Sequence, residues 1–238
     1  MTTQPRVIIL ADGAGTRWTA DTPKHLAIVD GEPILLRTVR QLTERGMTDL
    51  WLTSRLERYD SLQPTVKRYV PIDNRFKLDQ FYACREIWSG HDDVVFIYGD
   101  VRFSDAAMDT ILKTIPQDFV YFQRTRGSTI TGKGWKEGFA MRVCDTHMFE
   151  TSLKYLRTGI ENGSIAQMHH QVQGYLEGKG VGEFKGIGSH GVEIDDETDD
   201  FDYPTDVRVW TQNVAMWRTG YSATKNLSPL RKKDDKKE

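Results

Sequence analysis

The chain has 238 residues, 38% of them hydrophobic, 11% aromatic and 28% charged, with a formal net charge of -2 at pH 7. That length suits one large α/β domain or two small ones with a real core. The near-neutral balance excludes a global basic field of the kind that recruits nucleic acid. Cys84 and Cys144 lie in unlike contexts without CxxC spacing, which argues against a zinc site or a disulfide framework and fits a reducing cytosol. No apolar run approaches the ~18 residues of a membrane span. The start MTTQPRVIIL has no basic stretch followed by a long apolar one. A soluble cytoplasmic protein with neither membrane nor nucleic-acid partner is expected; a homo-oligomer is left open.

Val7–Ala11 is a short β-branched run, the pattern of a strand buried on both faces of a parallel sheet. Pro33 opens a helical pattern with Ile34, Leu35, Val39 and Leu42 apolar, and Gly46 is its stop. Leu50–Thr53 and Val66–Val70 read as strands, Phe76–Trp88 as a helix, and Val94–Tyr98 as a second strongly buried strand ending at Gly99-Asp100. A helix over Asp105–Ile115, strands over Phe119–Gln123 and Phe139–Val143, and helices over Thr146–Leu156 and Ser164–Leu176 follow. Gly178–Gly191 reads as a glycine-rich loop near the active face. The tail Ser228–Glu238, SPLRKKDDKKE, is poor in apolar residues and expected to be disordered. Strands alternating with helices imply right-handed crossovers and a mostly parallel sheet. One domain over residues 1–227 is expected, with the charged tail 228–238 outside it.

The stretch VIILADGAGTRWTADTPKHLAIVDGEPIL, Val7 to Leu35, joins the first strand to a glycine loop. Gly13-Ala14-Gly15-Thr16-Arg17 presents backbone N–H groups that an anion approaches without Cβ obstruction. It is not a Walker loop, because G-x-x-x-x-G-K-[ST] is missing. Nor is it a dinucleotide fingerprint. Trp18 replaces the third glycine, and Thr22-Pro23 interrupts any helix leading out of the loop. The bland alternative is a glycine turn with a surface arginine. Arg17 and Lys24 together weigh against it, since a planar fork and a mobile point charge suit a triphosphate undergoing substitution.

These residues resemble the L-A-x-G-x-G-T-R…P-K-x-L signature of the sugar-phosphate nucleotidyltransferases, within the wider MobA-like NTP-transferase group. The resemblance is strong over Val7–Arg40. It implies a three-layer α/β/α Rossmann-like fold of GT-A type around a mixed, mostly parallel sheet. VVFIYGDVRF, Val94–Phe103, resembles the family's G-D motif, which makes Asp100 a Mg²⁺ ligand; Ser104 or Asp105 would cap the following helix better. Asp200-Phe201-Asp202-Tyr203-Pro204-Thr205-Asp206-Val207 resembles the late D-x-D-T-P-E-D-L, with Asp202 as second metal ligand and Asp206 capping a helix opened by Pro204. Tyr203 departs from the usual threonine. The acidic run Glu193–Asp206 has a plainer reading too, as a solvated charge cluster.

The resemblance implies in-line attack of a sugar phosphate, or another small phosphorylated alcohol, on the α-phosphorus of an NTP. Pyrophosphate leaves, with Mg²⁺ as cofactor. Arg17, Lys24 and Asp100 are the candidate catalytic residues. The candidate nucleotide contacts are Leu10, Ala11, Asp12, Gly13, Ala14, Gly15, Thr16, Arg17 and Lys24, with Asn74 reading a base edge or capping a helix. Lys133, Lys136 and Glu137 in TGKGWKEG lie where relatives carry acceptor contacts, but read better as an exposed turn. His169-His170 are adjacent on a helix and cannot share a face, so they read as surface residues; Lys185 is unassigned. A GT-A glycosyltransferase using a nucleotide sugar is the alternative function. It needs a D-x-D after the central strand, a pattern that Asp100-Val101-Arg102 breaks. A nucleotide-binding regulatory domain without turnover is the non-enzymatic reading, and the full set Arg17, Lys24, Asp100 and Asp202 counts against it.

Overall fold

A computed structural model describes residues 4–13, 15–62, 64–71, 79–159 and 190–220. Ala14, Asn74, His169, Lys185, the helix expected over Ser164–Leu176, nearly all of the loop expected over Gly178–Gly191 and the tail 228–238 lie outside them. The chain runs through β1 (Arg6–Leu10), a 3-10 turn (Lys24–Leu26), β2 (Ile28–Val29), β3 (Glu32–Pro33), α1 (Ile34–Glu44) and β4 (Leu50–Thr53). A 3-10 segment (Glu57–Leu62), β5 (Lys67–Tyr69), α2 (Asp79–Ala83), a 3-10 turn (Arg85–Ile87), β6 (Val94–Tyr98), β7 (Val101–Arg102) and α3 (Asp105–Lys113) come next. Then follow β8 (Phe119–Arg124), β9 (Glu137–Val143), α4 (Thr146–Gly159), β10 (Gly191–Glu193), β11 (Asp199–Asp200) and α5 (Pro204–Arg218).

Among the described residues seven strands form one sheet in the order β10-β8-β9-β6-β1-β4-β5. β1 lies parallel to both β4 and β6, and β9 runs antiparallel to its neighbours β6 and β8. The two strands expected to be buried on both faces are so: every residue of β6 is buried, as is β1 from Val7 on. Pleating sends alternate side chains of β6 to opposite faces. Phe96 packs edge-on against Phe81 and Trp88 and beside Phe149, under α2 and α4. Helices cover both faces of this mixed, mostly parallel sheet, the three-layer Rossmann-like arrangement. Among the described residues no helix is long and apolar enough to cross a membrane.

Two local departures from the sequence pattern have clear causes. The helix expected over Phe76–Trp88 breaks at Cys84, and its described part is α2 plus a 3-10 turn. The Trp88 indole Nε1 donates to the Phe81 carbonyl at 2.7 Å, the acceptor that a continuing α-helix would use for its own ladder. Before α1, residues 28–33 fold as a hairpin. Asp30 and Gly31 both have positive φ, 57° and 81°, the D-G turn that suits a two-residue hairpin. Pro33 therefore closes β3 and precedes the helix rather than sitting within it.

A second, smaller apolar cluster joins this hairpin to α5: Val29, Ile34, Ile130, Phe201, Trp210 and Val214 are all buried. Beside it, fully buried Arg102 lies 4.6 Å over the Trp210 ring and pairs with Asp30 at 3.0 Å and Glu197 at 2.8 Å. These contacts fasten the chain's late acidic segment to the sheet edge of β7.

Candidate active site

The sheet brings the two motif-bearing strand ends together. Gly99 N donates to Leu10 O at 2.9 Å, and Ala11 N to Thr53 O at 3.1 Å. The glycine loop and Gly99-Asp100 thus leave adjacent strands at their carboxyl ends, where open α/β sheets gather ligands. Gly99 lets the two strand ends pack closely here. A Cβ on it would lie 3.0 Å from Leu10 O, 3.1 Å from Ala11 Cβ and 3.3 Å from the His25 ring. Within the loop Gly15 has φ of 58°, and its carbonyl accepts from Trp18 N at 2.8 Å. Gly13 and Thr16 are exposed beside it. Asp12 does not face outward as a free carboxylate: it accepts from the Arg55 backbone at 2.9 Å and pairs with its guanidinium at 2.7 Å.

Four charged side chains from distant parts of the sequence meet in pairs. Arg17 Nη2 contacts Asp202 Oδ1 at 2.7 Å, with the guanidinium 5.6 Å over the Tyr203 ring. Lys24 Nζ is bonded directly to Asp100 Oδ2. Burial works to raise the Asp100 carboxyl, but the Lys24 ammonium outweighs it and holds the group at about 2. Lys24 in turn is raised: burial pulls it down, yet Asp100 overrides that. Burial pushes the neighbouring His25, 5% exposed, down to about 4, so its ring is neutral at pH 7. Ser104, not Asp100, caps α3, its hydroxyl accepting from Ala107 N at 2.9 Å. Asp100 is therefore free of that duty.

Antiparallel pairing of β11 with β7 places the late acidic motif against the strand that follows Asp100. Asp200 pairs with Val101, and Phe201 N donates to Asp100 O at 3.1 Å. The plainer alternative of a solvated cluster fails for four carboxylates of the run: Asp199, Asp200, Asp202 and Asp206 are 0%, 8%, 9% and 4% exposed. Asp206 caps the helix from its third position, its Oδ2 accepting from Asp202 N at 3.0 Å and Tyr203 N at 3.2 Å. The Asp202 carboxyl is raised by burial, by Asp200 and, further down, by Asp100, against the opposing pull of Lys133 and Arg17. A divalent cation would relieve the repulsion that helps raise the Asp202 carboxyl. Among the described residues no group of three or more His, Cys, Asp and Glu side chains forms a ready cage. A pair of carboxylates fits Mg²⁺, which keeps water and substrate phosphate in its own shell.

Sequence reasoning misjudged TGKGWKEG. Lys136 is exposed, but the Lys133 side chain is fully buried, 2.7 Å from Asp200 Oδ1 and 3.3 Å from Asp206 Oδ2. Glu137 is half-buried beside it, and burial together with Asp200 pushes its carboxyl up to about 9. The two closest ion-pair partners of Lys133, Asp200 and Asp206, stand far along the chain, so no local pattern reveals them. His25 was missed as well, although its place next to Lys24 was a signal.

No family model and no curated protein sequence matches this chain. Solved structures do match its fold. A protein from Bacillus anthracis described as a glucose-1-phosphate thymidylyltransferase superimposes with a TM-score of 0.59 at 15% identity, over 87% of this chain and 94% of that one. The inositol-1-phosphate CTP transferase from T. maritima gives 0.55 at 14%, over 88% and 96%. The CTP:phosphocholine cytidylyltransferase from Streptococcus pneumoniae gives 0.51 at 16%, over 89% and 100%. These similar structures are nucleotidyltransferases, and at such identities the likeness is one of fold.

Proposed function

We propose that this protein is a nucleotidyltransferase, placed by its motifs with the sugar-phosphate enzymes of the MobA-like group. It would transfer an NMP from an NTP to a sugar phosphate or another small phosphorylated alcohol in the cytoplasm. One observation carries the reading: Arg17 and Lys24, the two cations of the glycine-loop motif, lie against Asp202 and Asp100, the two carboxylates of the later motifs. Nucleotidyl transfer needs no covalent nucleophile, only alignment of acceptor and α-phosphorus and neutralisation of the charge that develops. In this reading the amides of Gly13–Thr16 and the Arg17 fork hold the departing phosphates, with Leu10, Ala11 and Asp12 shaping the floor under the nucleotide. Lys24, its ammonium fixed by Asp100, offsets charge at the α-phosphate. Mg²⁺, when bound by Asp100 and Asp202, supplies Lewis-acid stabilisation of the phosphate oxygens. The names of the similar structures, which pair an NTP with a phosphorylated sugar, inositol or choline, support this substrate class.

The test is pyrophosphate release. The purified chain is incubated with each NTP, Mg²⁺ and a panel of phosphorylated acceptors, with Asp202→Asn as control. Release should require an acceptor and should collapse in the variant. Transfer or hydrolysis of a UDP-sugar without pyrophosphate from any NTP would instead support the glycosyltransferase alternative. That enzyme needs a carboxylate where Arg102 lies buried under Trp210.

A further inference from the structure

Asp200 and Asp202 flank Phe201, which is fully buried in the second apolar cluster. Both carboxylates act on Lys24, the partner of Asp100, so the segment offers two candidate ligands where the reading above needs one. Lys133 separates them. Its ammonium, with no exposed side-chain surface, takes Asp200 Oδ1 and the Asp200 carbonyl, each at 2.7 Å. Asp202 bonds instead to Arg17, whose side chain is 46% exposed. The same Asp206 oxygen that holds the Asp202 and Tyr203 amides lies 3.3 Å from Lys133 Nζ.

The loop carrying Lys133 is itself tightly set. Thr131 Oγ1 donates to Asp199 at 3.0 Å, Gly132 N donates to Ser128 O at 3.0 Å, and Ser128 also bonds Asp199. Gly127 packs so closely that a Cβ there would stand 2.1 Å from the Lys133 carbonyl. A fixed cation in a fixed loop acts as a reference point for the acidic segment.

We propose that Lys133 is a positioning residue that decides which carboxylate of Asp200-Phe201-Asp202 meets the divalent cation. It ties up the Asp200 carboxylate in a buried ion pair, and through Asp206, which accepts from the Asp202 amide, it fixes the backbone of Asp202. This rests on the nucleotidyltransferase reading of the same residues.

The test measures Mn²⁺ affinity by electron paramagnetic resonance on the full chain, beside pyrophosphate release and thermal melting. Asp200→Asn should keep Mn²⁺ affinity within about threefold, whereas Asp202→Asn should lose about tenfold or more, as expected for a ligand. Lys133→Met frees Asp200, so Mn²⁺ should bind at least as tightly as in the wild type while turnover falls about 10–100-fold through a misplaced ion. Adding Asp200→Asn to Lys133→Met should return Mn²⁺ affinity to the wild-type value and recover about tenfold in turnover. If Lys133→Met does not fold, Asp200→Asn and the double variant, which loses the buried charge together with its partner, carry the test. The proposal is overturned if Asp200→Asn weakens Mn²⁺ as much as Asp202→Asn does. It is also overturned if affinity, turnover and melting temperature fall in parallel in Lys133→Met with no recovery in the double. Unchanged Mn²⁺ binding in Asp202→Asn would overturn the metal reading beneath it, and that outcome does not depend on Lys133.

Discussion

Replacing Lys24 by Met tests whether the cation proposed to act at the α-phosphate also holds the fold. The Asp100 carboxyl sits at about 2, against 3.8 for an unperturbed aspartate. At ~1.4 kcal/mol per pH unit that difference is worth ~2–3 kcal/mol at neutral pH. Both side chains are mostly buried, 14% and 20% exposed, so solvent screens the pair little. Because the folded pKa is depressed, the stabilisation is fully present above 3.8 and is lost as pH falls toward 2. Roughly half of it should remain at pH 3. Lys24→Met should therefore melt about 5–10 °C lower at pH 7 for a domain of this size, with a smaller deficit at pH 3. The double variant Lys24→Met/Asp100→Asn should recover much of the loss, since an unpaired buried carboxylate costs more than a neutral amide. Circular dichroism melts of the metal-free protein at the two pH values give the answer. A variant melting within a degree of wild type at pH 7, or losing as much at pH 3 as at pH 7, would refute the reasoning.

Three further outcomes are expected. Gly138→Ala should cost about 3 kcal/mol or abolish soluble expression, because a Cβ there would stand 1.6 Å from the Tyr121 hydroxyl; an unchanged melting temperature refutes it. Cys84, fully buried and raised by that burial to about 12, should resist a thiol reagent at pH 8 until the chain unfolds. Labelling at the rate of a free thiol in the native protein would contradict this. Glu197→Gln should cost about 2 kcal/mol at pH 7, since burial opposes its charge but Arg218 and Arg102 hold the carboxyl below 4.5. That contribution exists above 4.5 and fades as pH falls, so the acid limb of the stability curve should flatten in the variant.

Much of the fold was legible because its signals are local. The β-branched runs Val7–Ala11 and Val94–Tyr98 could be read as doubly buried strands from composition alone, and both lie at the centre of the sheet. The 3.6-residue pattern after Pro33 marked α1, and Pro204 marked the start of α5. The Phe76–Trp88 helix was misjudged because its break depends on an indole folding back onto its own chain, which periodicity does not register. In the candidate site, the glycine loop and the carboxylates at positions 100 and 202 were singled out by motif. Their mutual contact was not: that Arg17 meets Asp202 and Lys24 meets Asp100 follows from the crossovers that align two strand ends.

Sequence alone determined which residue types stand ready for phosphate and metal, because glycine spacing, fixed cations and strand-end carboxylates are properties of short segments. Only the tertiary structure decided how the charges are apportioned. Lys133 looked like part of an exposed turn and is wholly buried, and within the acidic run Asp199, Asp200, Asp202 and Asp206 are buried while Asp195 stays exposed. The reason is electrostatic. A buried charge is tolerated only where opposite charges converge on it, and here Asp200 and Asp206 converge on Lys133 from far along the chain, a separation over which sequence carries no pairing information.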